Sequence, residues 1–329
     1  MRFHLGLMWH FQLLQDWVAR HNGRATLNIL DFRLEIAIQD RVLHFFPRFI
    51  AKNQGRIVYT RILAPQVQGF IGWLPYEEKI WVEAQDKLEF KRLLLRHNER
   101  TPEFWLNTDK PVNDVLIKPA KGSFGMGQRG PFRKIDPDNE SHKLKPGEFY
   151  ERFIPGQILK VWYWNAEPFC VDLRKRLTVT GDGYRSVATL VNETFLRNEG
   201  LRSEWFETTK PQLNALLAYQ DANWETVLSP GVVIQVDYAF GSSLYVESAD
   251  LAKNFNRLNE IRGTPLGQKL MTSGTFFQNI IPEAIRNDSV FAVDGMVDSN
   301  GDLWWLEMNC APAFPPDGYP TMLGSLFKQ

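Results

Sequence analysis

The stretch VFAVDGMVDSNGDLWWLEMN, residues 290–309, decides the fold, because it predicts a β-hairpin with one polar and one apolar face. Asn300-Gly301 is a strong signal for a two-residue hairpin loop. Such a loop places Asp294 opposite Glu307, and Asn309, two residues further on, points to the same face. The other face is expected to lie in the core and carries Phe291, Val293, Val297, Trp304, Leu306 and Met308.

The polar face of this hairpin needs a physical reason. Two carboxylates opposed across a ladder repel each other and destabilise the strand pair. A hard cation between them removes the repulsion, and carboxylate and amide oxygens are magnesium ligands. We therefore predict that Asp294, Glu307 and Asn309 hold a metal ion. The alternative is that both carboxylates are solvated side chains on an edge hairpin.

Composition indicates a globular protein. The chain has 329 residues, 44% hydrophobic and 23% charged, which allows two or three domains. Its 38 basic and 38 acidic residues cancel, which argues against nucleic-acid binding. Cys170 and Cys310 form neither a disulfide framework nor a zinc cluster, so we predict a cytoplasmic protein. No apolar run reaches the roughly 18 residues of a membrane span, and no membrane association is expected.

Periodicity and turn residues predict the elements around the hairpin. Strands are expected at 27–32, 56–63, 114–119, 158–165, 167–176 and 232–240, and helices at 1–20, 81–98, 187–198 and 267–287. We predict a small α/β domain over 1–83, a lid with a glycine-rich loop over 84–155, and a C-terminal domain with the hairpin over 156–329.

KPAKGSFGMGQRG, residues 118–130, is the second segment with a chemical signal. Lys118 ends a strand, Ser123 offers a hydroxyl, and the glycines let backbone N–H groups converge on anionic oxygens. The pattern is neither a P-loop nor a dinucleotide-binding fingerprint. The alternative to phosphate binding is a flexible hairpin loop. The glycines are Gly122, Gly125, Gly127 and Gly130.

Three weaker signals accompany the loop. Lys87 and Lys91 lie one helical turn apart, and a solvated face is the default interpretation of such a pair. FYERFIPG, residues 149–156, reads as a strand and turn whose backbone can bond a purine edge. Arg174 and Arg176 share one strand face; they either face solvent or, directed inward, offset the charge of a transferring phosphoryl group.

Taken in order, these segments resemble the ATP-grasp superfamily of carboxylate–amine ligases. AQDKLEFKRLLL (84–95) looks like the helix that opens the nucleotide site, IKPAKGSFGMG (117–127) like the lysine strand and phosphate-covering loop, and YERFIPG (150–156) like the hinge. DGMVDSNGDLWWLEMNCAP (294–312) looks like the magnesium hairpin. The resemblance implies an α+β fold in which two subdomains grasp ATP between antiparallel sheets.

The resemblance also implies roles for individual residues. Asp294, Glu307 and Asn309 would hold two Mg²⁺ ions, for which Mn²⁺ can substitute, and Arg174, Arg176 and Lys118 would be catalytic. Glu151, by its backbone carbonyl, and Ile154 would bind the adenine edge. The ATP contacts implied overall are Lys87, Lys118, Gly122, Ser123, Gly125, Gly127, Glu151, Arg152, Phe153, Ile154 and Lys160.

The sequence departs from the family pattern at two positions. Ile158 stands where a ribose-binding Glu is frequent, so Gln157 or Lys160 would substitute. Ala292 stands where D-alanine–D-alanine ligases carry an Arg that stabilises an oxyanion.

The implied activity is ATP-dependent amide formation through an acyl phosphate. The implied partners are small-molecule carboxylates and amines, with amino acids and peptides as candidates. A homodimer is the candidate assembly. The alternatives are a small-molecule kinase and a non-catalytic nucleotide-binding protein. Residues 1–80 and the loop 311–320 are expected to form the carboxylate pocket. Candidate anchors for a substrate carboxylate are Arg185, Tyr238 and Arg257.

Overall fold

The computed structural model describes residues 2–53, 56–122, 125, 127–136, 138–195, 203–237 and 255–328. We number the helices α1 (Arg2–Arg20), α2 (Lys87–Arg96), α3 (Val187–Phe195), α4 (Ser203–Tyr219), α5 (Leu258–Ile261), α6 (Pro265–Ile280), α7 (Glu283–Arg286) and α8 (Tyr319–Leu326). The strands are β1 (Arg24–Leu27), β2 (Leu34–Ile38), β3 (Arg41–Asn53), β4 (Arg56–Thr60), β5 (Val67–Leu74), β6 (Phe104–Trp105), β7 (Val112–Pro119), β8 (Arg129–Ile135), β9 (Glu148–Arg152), β10 (Gln157–Trp164), β11 (Glu167–Arg174), β12 (Thr178–Thr180), β13 (Val233–Gln235), β14 (Val290–Val297) and β15 (Leu303–Asn309).

The strands form antiparallel sheets that follow one another along the chain. The N-terminal sheet has the order β1-β2-β3-β4, with β5 also paired to β3. The middle sheet has the order β6-β9-β7-β8, and the C-terminal sheet β11-β10-β14-β15. A two-stranded sheet, β12-β13, accompanies α3 and α4. The predicted α+β class is confirmed.

Several predicted elements have different boundaries in the structure. The strand predicted at 27–32 ends at Leu27, so the N-terminal unit is one helix on an antiparallel sheet and not an alternating α/β unit. The helix predicted over 81–98 begins at Lys87, because the Asp86 side chain accepts from the N–H groups of Leu88 and Glu89. The helix predicted over 267–287 is interrupted at Pro282.

The C-terminal sheet lies between two cores and is buried on both faces. One face packs with α2 and α6 through Val161, Tyr163 and Phe291. The opposite face packs with α1, α8 and the N-terminal sheet through Trp162 and Ala292. Because successive residues of a strand point to opposite faces, both residue sets of β10 and β14 are apolar over most of their length. Helix α2 therefore belongs to the C-terminal core, although the predicted boundary at residue 84 groups it with the lid.

The hairpin β14–β15 has the predicted pairing of Asp294 with Glu307, but its loop and register differ from the prediction. The loop has three residues, 299–301, with Gly301 at a φ of 81° and the Asp298 N–H donating to the Asp302 carbonyl. This loop alone would shift the register by one residue. A bulge at Leu306 restores it, so that Asp294 lies opposite Glu307 while Gly295 lies opposite Trp305.

The bulge also changes which tryptophan is buried. Trp304 was expected on the core face, but Trp305 is the one fully buried, packed edge-on against Phe277 with the ring centroids 5.0 Å apart. Trp304 is partly exposed and donates through Nε1 to Asp298, 2.8 Å away. The two-residue loop predicted from Asn300-Gly301 is therefore wrong, and the apolar positions nearest the turn shift by one.

We expect Trp305→Ala to lower the free energy of unfolding by about 3–5 kcal/mol, because it leaves a cavity in a closed core. The matched variant Trp304→Ala should cost only about 1 kcal/mol, the value of one partly exposed hydrogen bond. Urea unfolding followed by circular dichroism measures both. Equal losses, or a larger loss for Trp304→Ala, would contradict the bulged register.

Candidate functional site

Lys87 connects the glycine-rich loop to the hairpin. It is the first residue of α2, and its Nζ lies 2.7 Å from the Gly122 carbonyl oxygen and 2.8 Å from Oε2 of Glu307. Its own N–H donates to the carbonyl of Ala120, 2.9 Å away, which fixes the helix start against the end of β7. One ammonium group therefore bridges the two segments that the sequence assigned to phosphate and metal.

The polar face of the hairpin gathers the three predicted metal ligands. Asp294 lies opposite both Glu307 on β15 and Lys160 on β10. The Lys160 ammonium lies 2.8 and 3.0 Å from the two Asp294 carboxylate oxygens. Asn309 donates through Nδ2 to Oδ2 of Asp294 at 2.9 Å. The side chains are held together by strand register, so the cluster follows from the fold and not from a mobile surface.

The two hairpin carboxylates differ in acidity. Burial raises the pKa of Asp294, the Lys160 ammonium partly offsets this, and Glu307 raises it again, which leaves it at about 6. Burial also raises the pKa of Glu307, but the ammonium of Lys87 outweighs it, so that this pKa lies below its usual value. The repulsion expected from the sequence is thus relieved by two lysines, one on each carboxylate.

The donor set suits a magnesium ion that takes its other ligands from elsewhere. Among the described residues, no three His, Cys, Asp or Glu side chains converge as a metal cage. The hairpin instead supplies two carboxylates and the amide of Asn309. Mg²⁺ is usually bound in this way, by one or two carboxylates together with water and substrate phosphates. The residues present therefore fit the predicted ion.

A second group of charges lies buried beside the first. Glu151 is 2% exposed and pairs with Lys118 through Oε1 and with Lys91 through Oε2, the latter at 2.6 Å. Lys91 is fully buried and also donates to Oγ1 of Thr101 at 2.8 Å. Burial raises the pKa of Glu151, but the two ammonium groups outweigh it and leave this pKa below its usual value. Burial lowers the pKa of Lys91, and Glu151 acts against that shift.

This group departs from the sequence prediction. Glu151 was expected to act through its backbone carbonyl, but it lies in an interior strand, paired with Leu116 on one side and Phe104 on the other. Arg152 points the opposite way and pairs with Glu103 at 3.0 Å, away from the lysines. The structure thus brings the side chain of Glu151 to the site and leaves Arg152 outside it.

The adjacent hinge residues lie at the edge of the site. Phe153 is 4% exposed and packs with Leu116 and with Leu216 of α4. Its N–H donates to the carbonyl of Asp114. Ile154 follows β9 and is partly exposed. Phe153 is therefore a core residue of the middle sheet, and of these two side chains Ile154 is the more accessible.

The two predicted catalytic arginines are close together in the chain, with Arg174 at the end of β11 and Arg176 between β11 and β12. Arg174 ends β11 and pairs with Asp172, with Nε to Oδ1 at 2.6 Å and Nη2 to Oδ2 at 2.5 Å. Asp172 is 1% exposed, and Lys160 acts on its charge, which joins this pair to the hairpin cluster. Arg176 is buried and donates through Nε to the Gly156 carbonyl at 3.0 Å. Arg176 is directed inward, whereas the side chain of Arg174 is 32% exposed.

The described glycines of the loop support a backbone cradle. Gly122, Gly125 and Gly127 have φ values of 129°, 65° and 78°, which side chains rarely adopt. All three are exposed, and the side-chain amide of Gln212 lies 3.2 Å from the Gly125 carbonyl. Ser123 lies outside the described residues.

Sequence reasoning missed two members of the site. Lys91 was assigned to a solvated helix face, but it follows Phe90 and precedes Leu94 by three residues, which places it on the edge of the buried stripe. Asp172 was not singled out, although it stands two residues before Arg174 on the same strand face. Helical periodicity for Lys91 and strand alternation for Asp172 were the sequence signals that could have identified these two residues.

The described candidate substrate anchors pair with carboxylates outside the hairpin cluster, although the charge of Arg257 also acts on Asp172. Arg185 pairs with Asp182 and Glu193. Arg257 pairs with Glu260 at 2.6 Å. Tyr238 lies outside the described residues.

No protein-family model matches the chain, and no curated protein matches it. Solved structures that the chain resembles are ATP-grasp ligases. A bifunctional glutathione synthetase from Pasteurella multocida is 14% identical with a TM-score of 0.42, and the match covers 97% of this chain and 43% of that one. A D-alanine–D-alanine ligase from Bacillus anthracis is 14% identical with a TM-score of 0.32, covering 70% and 58%.

An L-amino acid ligase from Bacillus licheniformis is 12% identical with a TM-score of 0.33, covering 72% of this chain and 42% of that one. This chain therefore spans about half the length of the proteins it resembles. At these identities the site residues are assigned from contacts within this chain alone. Within the described part of the chain, no helix is long and apolar enough to cross a membrane.

We expect Glu151→Gln to lower the free energy of unfolding by about 3–5 kcal/mol, because it leaves two buried ammonium groups without a counter-charge. The matched variant Lys91→Met keeps the Lys118–Glu151 pair and should cost about 1 kcal/mol or less. Urea unfolding near neutral pH measures both. A Glu151→Gln variant as stable as the wild type would contradict the buried charge cluster.

A second prediction concerns pH. Folded Asp294, with a pKa of about 6 against a usual 3.8, holds its proton more tightly than the unfolded chain does. Relative to Asp294→Asn, the wild type should therefore gain up to about 3 kcal/mol of stability as pH falls from about 7 toward 4. The gain in stability begins as the pH falls to the pKa of folded Asp294, and it is complete only below the pKa of Asp294 in the unfolded chain. Urea unfolding of both proteins across this range tests it; a constant or shrinking difference would refute the raised pKa.

Proposed function

We propose that the protein is an ATP-dependent carboxylate–amine ligase that releases ADP and phosphate. The observation that carries this proposal is the contact of Lys87 with both the glycine-rich loop and Glu307. This contact joins the start of the glycine-rich loop, an ammonium group and a carboxylate pair in one hydrogen-bonded cluster. Such a cluster has the components that phosphoryl transfer requires, namely phosphate binding and charge neutralisation.

The nucleotide is proposed to lie between the middle and C-terminal sheets. Lys87 and Lys118 would contact phosphate oxygens, and the loop at Gly122, Gly125 and Gly127 would cover them with N–H groups. Lys160 is the nearest described candidate for the ribose, in place of the acid that Ile158 replaces. Residues 84–155 act in this proposal as the lid, between the domains 1–83 and 156–329.

The metal ligands in this proposal are Asp294, Glu307 and Asn309, and two ions are expected. Magnesium, when bound, neutralises phosphate charge and polarises the phosphoryl group. Lys87 and Lys160 now occupy the carboxylate oxygens that the ions would take. Metal binding would free both ammonium groups, Lys87 for the phosphates and Lys160 for the ribose.

The reaction proceeds in two displacements. The substrate carboxylate attacks the γ-phosphorus, the bond to the β-bridging oxygen breaks, and ADP leaves with both electrons of that bond. The amine then attacks the acyl carbon of the acyl phosphate, inorganic phosphate leaves, and the amine nitrogen loses a proton to give the amide. Arg174 is proposed to offset the charge of the transferring group, with Asp172 fixing its orientation by two contacts. Arg176 supports the hinge from Gly156.

The proposed substrates are small-molecule carboxylates and amines, including amino acids and peptides. A cytoplasmic location is supported by two buried free thiols, Cys170 and Cys310, which fit a reducing compartment. A homodimer remains a prediction.

Phosphate release across a matrix of carboxylates and amines, with mass spectrometry of the products, tests this function. We expect release that requires a carboxylate, an amine and Mg²⁺ together. Release that needs a carboxylate but ignores every amine would instead identify a kinase.

Once an active pair is found, Glu307→Gln should lower kcat by at least about 100-fold, because it removes a proposed metal ligand and the partner of Lys87. The matched control is Asp302→Asn in the same hairpin, an exposed residue paired with Arg100 outside the site, which should stay within about twofold of the wild type. A Glu307→Gln enzyme with near wild-type kcat would rule out the proposed metal site.

A further inference from the structure

Arg48 is a buried cation without an ionic partner among the described residues. It lies in β3 and is 6% exposed. Its Nη2 donates to the carbonyl of Glu77 at 3.1 Å, while Nε has no acceptor in the described part of the chain. No described carboxylate comes within ion-pair distance of it. A buried guanidinium that lacks a counter-charge is costly to keep, so an anion supplied from outside is a physical explanation for it.

The contacts of the residues around Arg48 place it near the end of the hairpin that contains Val290. Its guanidinium lies 5.9 Å from the ring centre of Tyr76, whose hydroxyl accepts from the N–H of Val290, the first residue of β14. Arg48 pairs across the ladder with Gly72, next to Ile71, whose carbonyl accepts from Phe314 beyond the hairpin. Arg48 thus lies where the N-terminal sheet meets the start of β14 and the segment that follows β15.

The electrostatic interactions of Arg48 and of its neighbour Tyr59 also indicate that Arg48 lies near the hairpin. Burial lowers the pKa of Arg48. Tyr76, Cys310 (the residue after Asn309) and the carboxylate of Glu78, which is beyond ion-pair distance, act against that shift, while Arg61 adds to it. Tyr59 of the neighbouring strand β4 is 39% exposed, and partial burial followed by the charges of Asp294 and Glu307 raises its pKa to about 12, while Arg48 opposes the shift. Tyr59 therefore lies within range of both Arg48 and the hairpin carboxylates.

We propose that Arg48 binds the carboxylate substrate from the N-terminal sheet, an assignment that rests on the proposed ligase function. The lysines that suit a triphosphate, Lys87 and Lys118, are paired with Glu307 and Glu151 on the side of α2 and the middle sheet. Arg48 approaches the hairpin from the N-terminal sheet, which is where the phosphoryl acceptor would enter. A guanidinium matches a carboxylate with two parallel N–H donors, which an ammonium cannot do.

In this role Arg48 is a substrate-binding residue. One carboxylate oxygen pairs with the guanidinium, and the other is left to face the phosphorus. Arg48 keeps its charge throughout, so no proton moves through it. Pairing with the bound substrate removes the cost of the uncompensated buried charge.

The test uses the Nε–H resonance of Arg48 in the full-length protein labelled with ¹⁵N-arginine. The resonance is identified by its loss in Arg48→Gln. Sodium acetate is the carboxylate probe, and we expect a saturable shift with a midpoint in the millimolar range, reached below about 100 mM. Inorganic phosphate at equal ionic strength should produce less than about a third of that shift. Absence of an acetate shift, or a larger shift with phosphate, overturns the assignment.

Matched variants separate this inference from the proposed function. Arg41→Gln removes an exposed arginine of the same strand and should leave the acetate shift unchanged. Binding of ATP and Mg²⁺ is measured by calorimetry in each variant, and Arg48→Gln should retain the wild-type Kd within about threefold. If the wild type binds no ATP, the ligase proposal fails; if ATP binds and acetate does not, only the role of Arg48 fails.

The stability of the variants distinguishes binding from a structural role. A cation kept for a ligand destabilises the free protein, so Arg48→Met should unfold at the same or a higher temperature than the wild type. A structural role through the Glu77 carbonyl and the Tyr76 ring predicts a fall in Tm of several degrees, since both contacts are lost. Acetate should raise the Tm of the wild type and leave that of Arg48→Met unchanged. A fall in Tm for Arg48→Met without any acetate effect on the wild type would refute the proposal.

Discussion

The pairing of lysine ammonium groups with buried carboxylates is the constraint on which this structure depends. Glu307, Asp294 and Glu151 are each held by at least one lysine, and each pair joins two different elements of the fold. Burying either partner alone would cost several kcal/mol. The pairs therefore fix α2, the middle sheet and the hairpin relative to one another, at the site that we propose for ATP.

The C-terminal sheet explains why these charges are tolerated. The face that meets the N-terminal sheet is apolar at one end, through Trp162, Trp164 and Ala292. At the other end the same residue alternation places Lys160 and Asp294 on it. Packing on both faces makes the sheet rigid, while its polar end carries the charged side chains of Lys160 and Asp294. Strand register thereby fixes how Lys160, Asp294 and Glu307 lie relative to one another.

The sequence predicted which hairpin carboxylates face each other, but not the loop and register that bring them together. The opposition of Asp294 and Glu307 was correct, but it results from two compensating irregularities, a longer loop and a bulge at Leu306. No local signal at Leu306 predicts the bulge, because it depends on packing Trp305 against Phe277. Local patterns therefore identify which residues act together, whereas tertiary packing decides the register that unites them.

Long-range contacts account for the other differences. Lys91 forms an ion pair with Glu151, sixty residues further along the chain, and no sequence pattern predicts this pair. Arg48 comes from a segment without a catalytic motif and is recognisable only once its burial is known. By contrast, the cap at Asp86 and the break at Pro282 are set by the local sequence. The local sequence thus carries the signals for these two features, although the predicted helix bounds missed both, whereas the charge pairs between distant segments have no local signal.

Isothermal titration of ATP into the protein, with and without Mg²⁺, tests the central claim most directly. The account predicts saturable binding at one site with Mg²⁺, weakened at least about tenfold, or by 1.4 kcal/mol, either by omitting the ion or by Asp294→Asn. Heat of binding that is absent under all conditions, or that is indifferent both to Mg²⁺ and to Asp294→Asn, would contradict it.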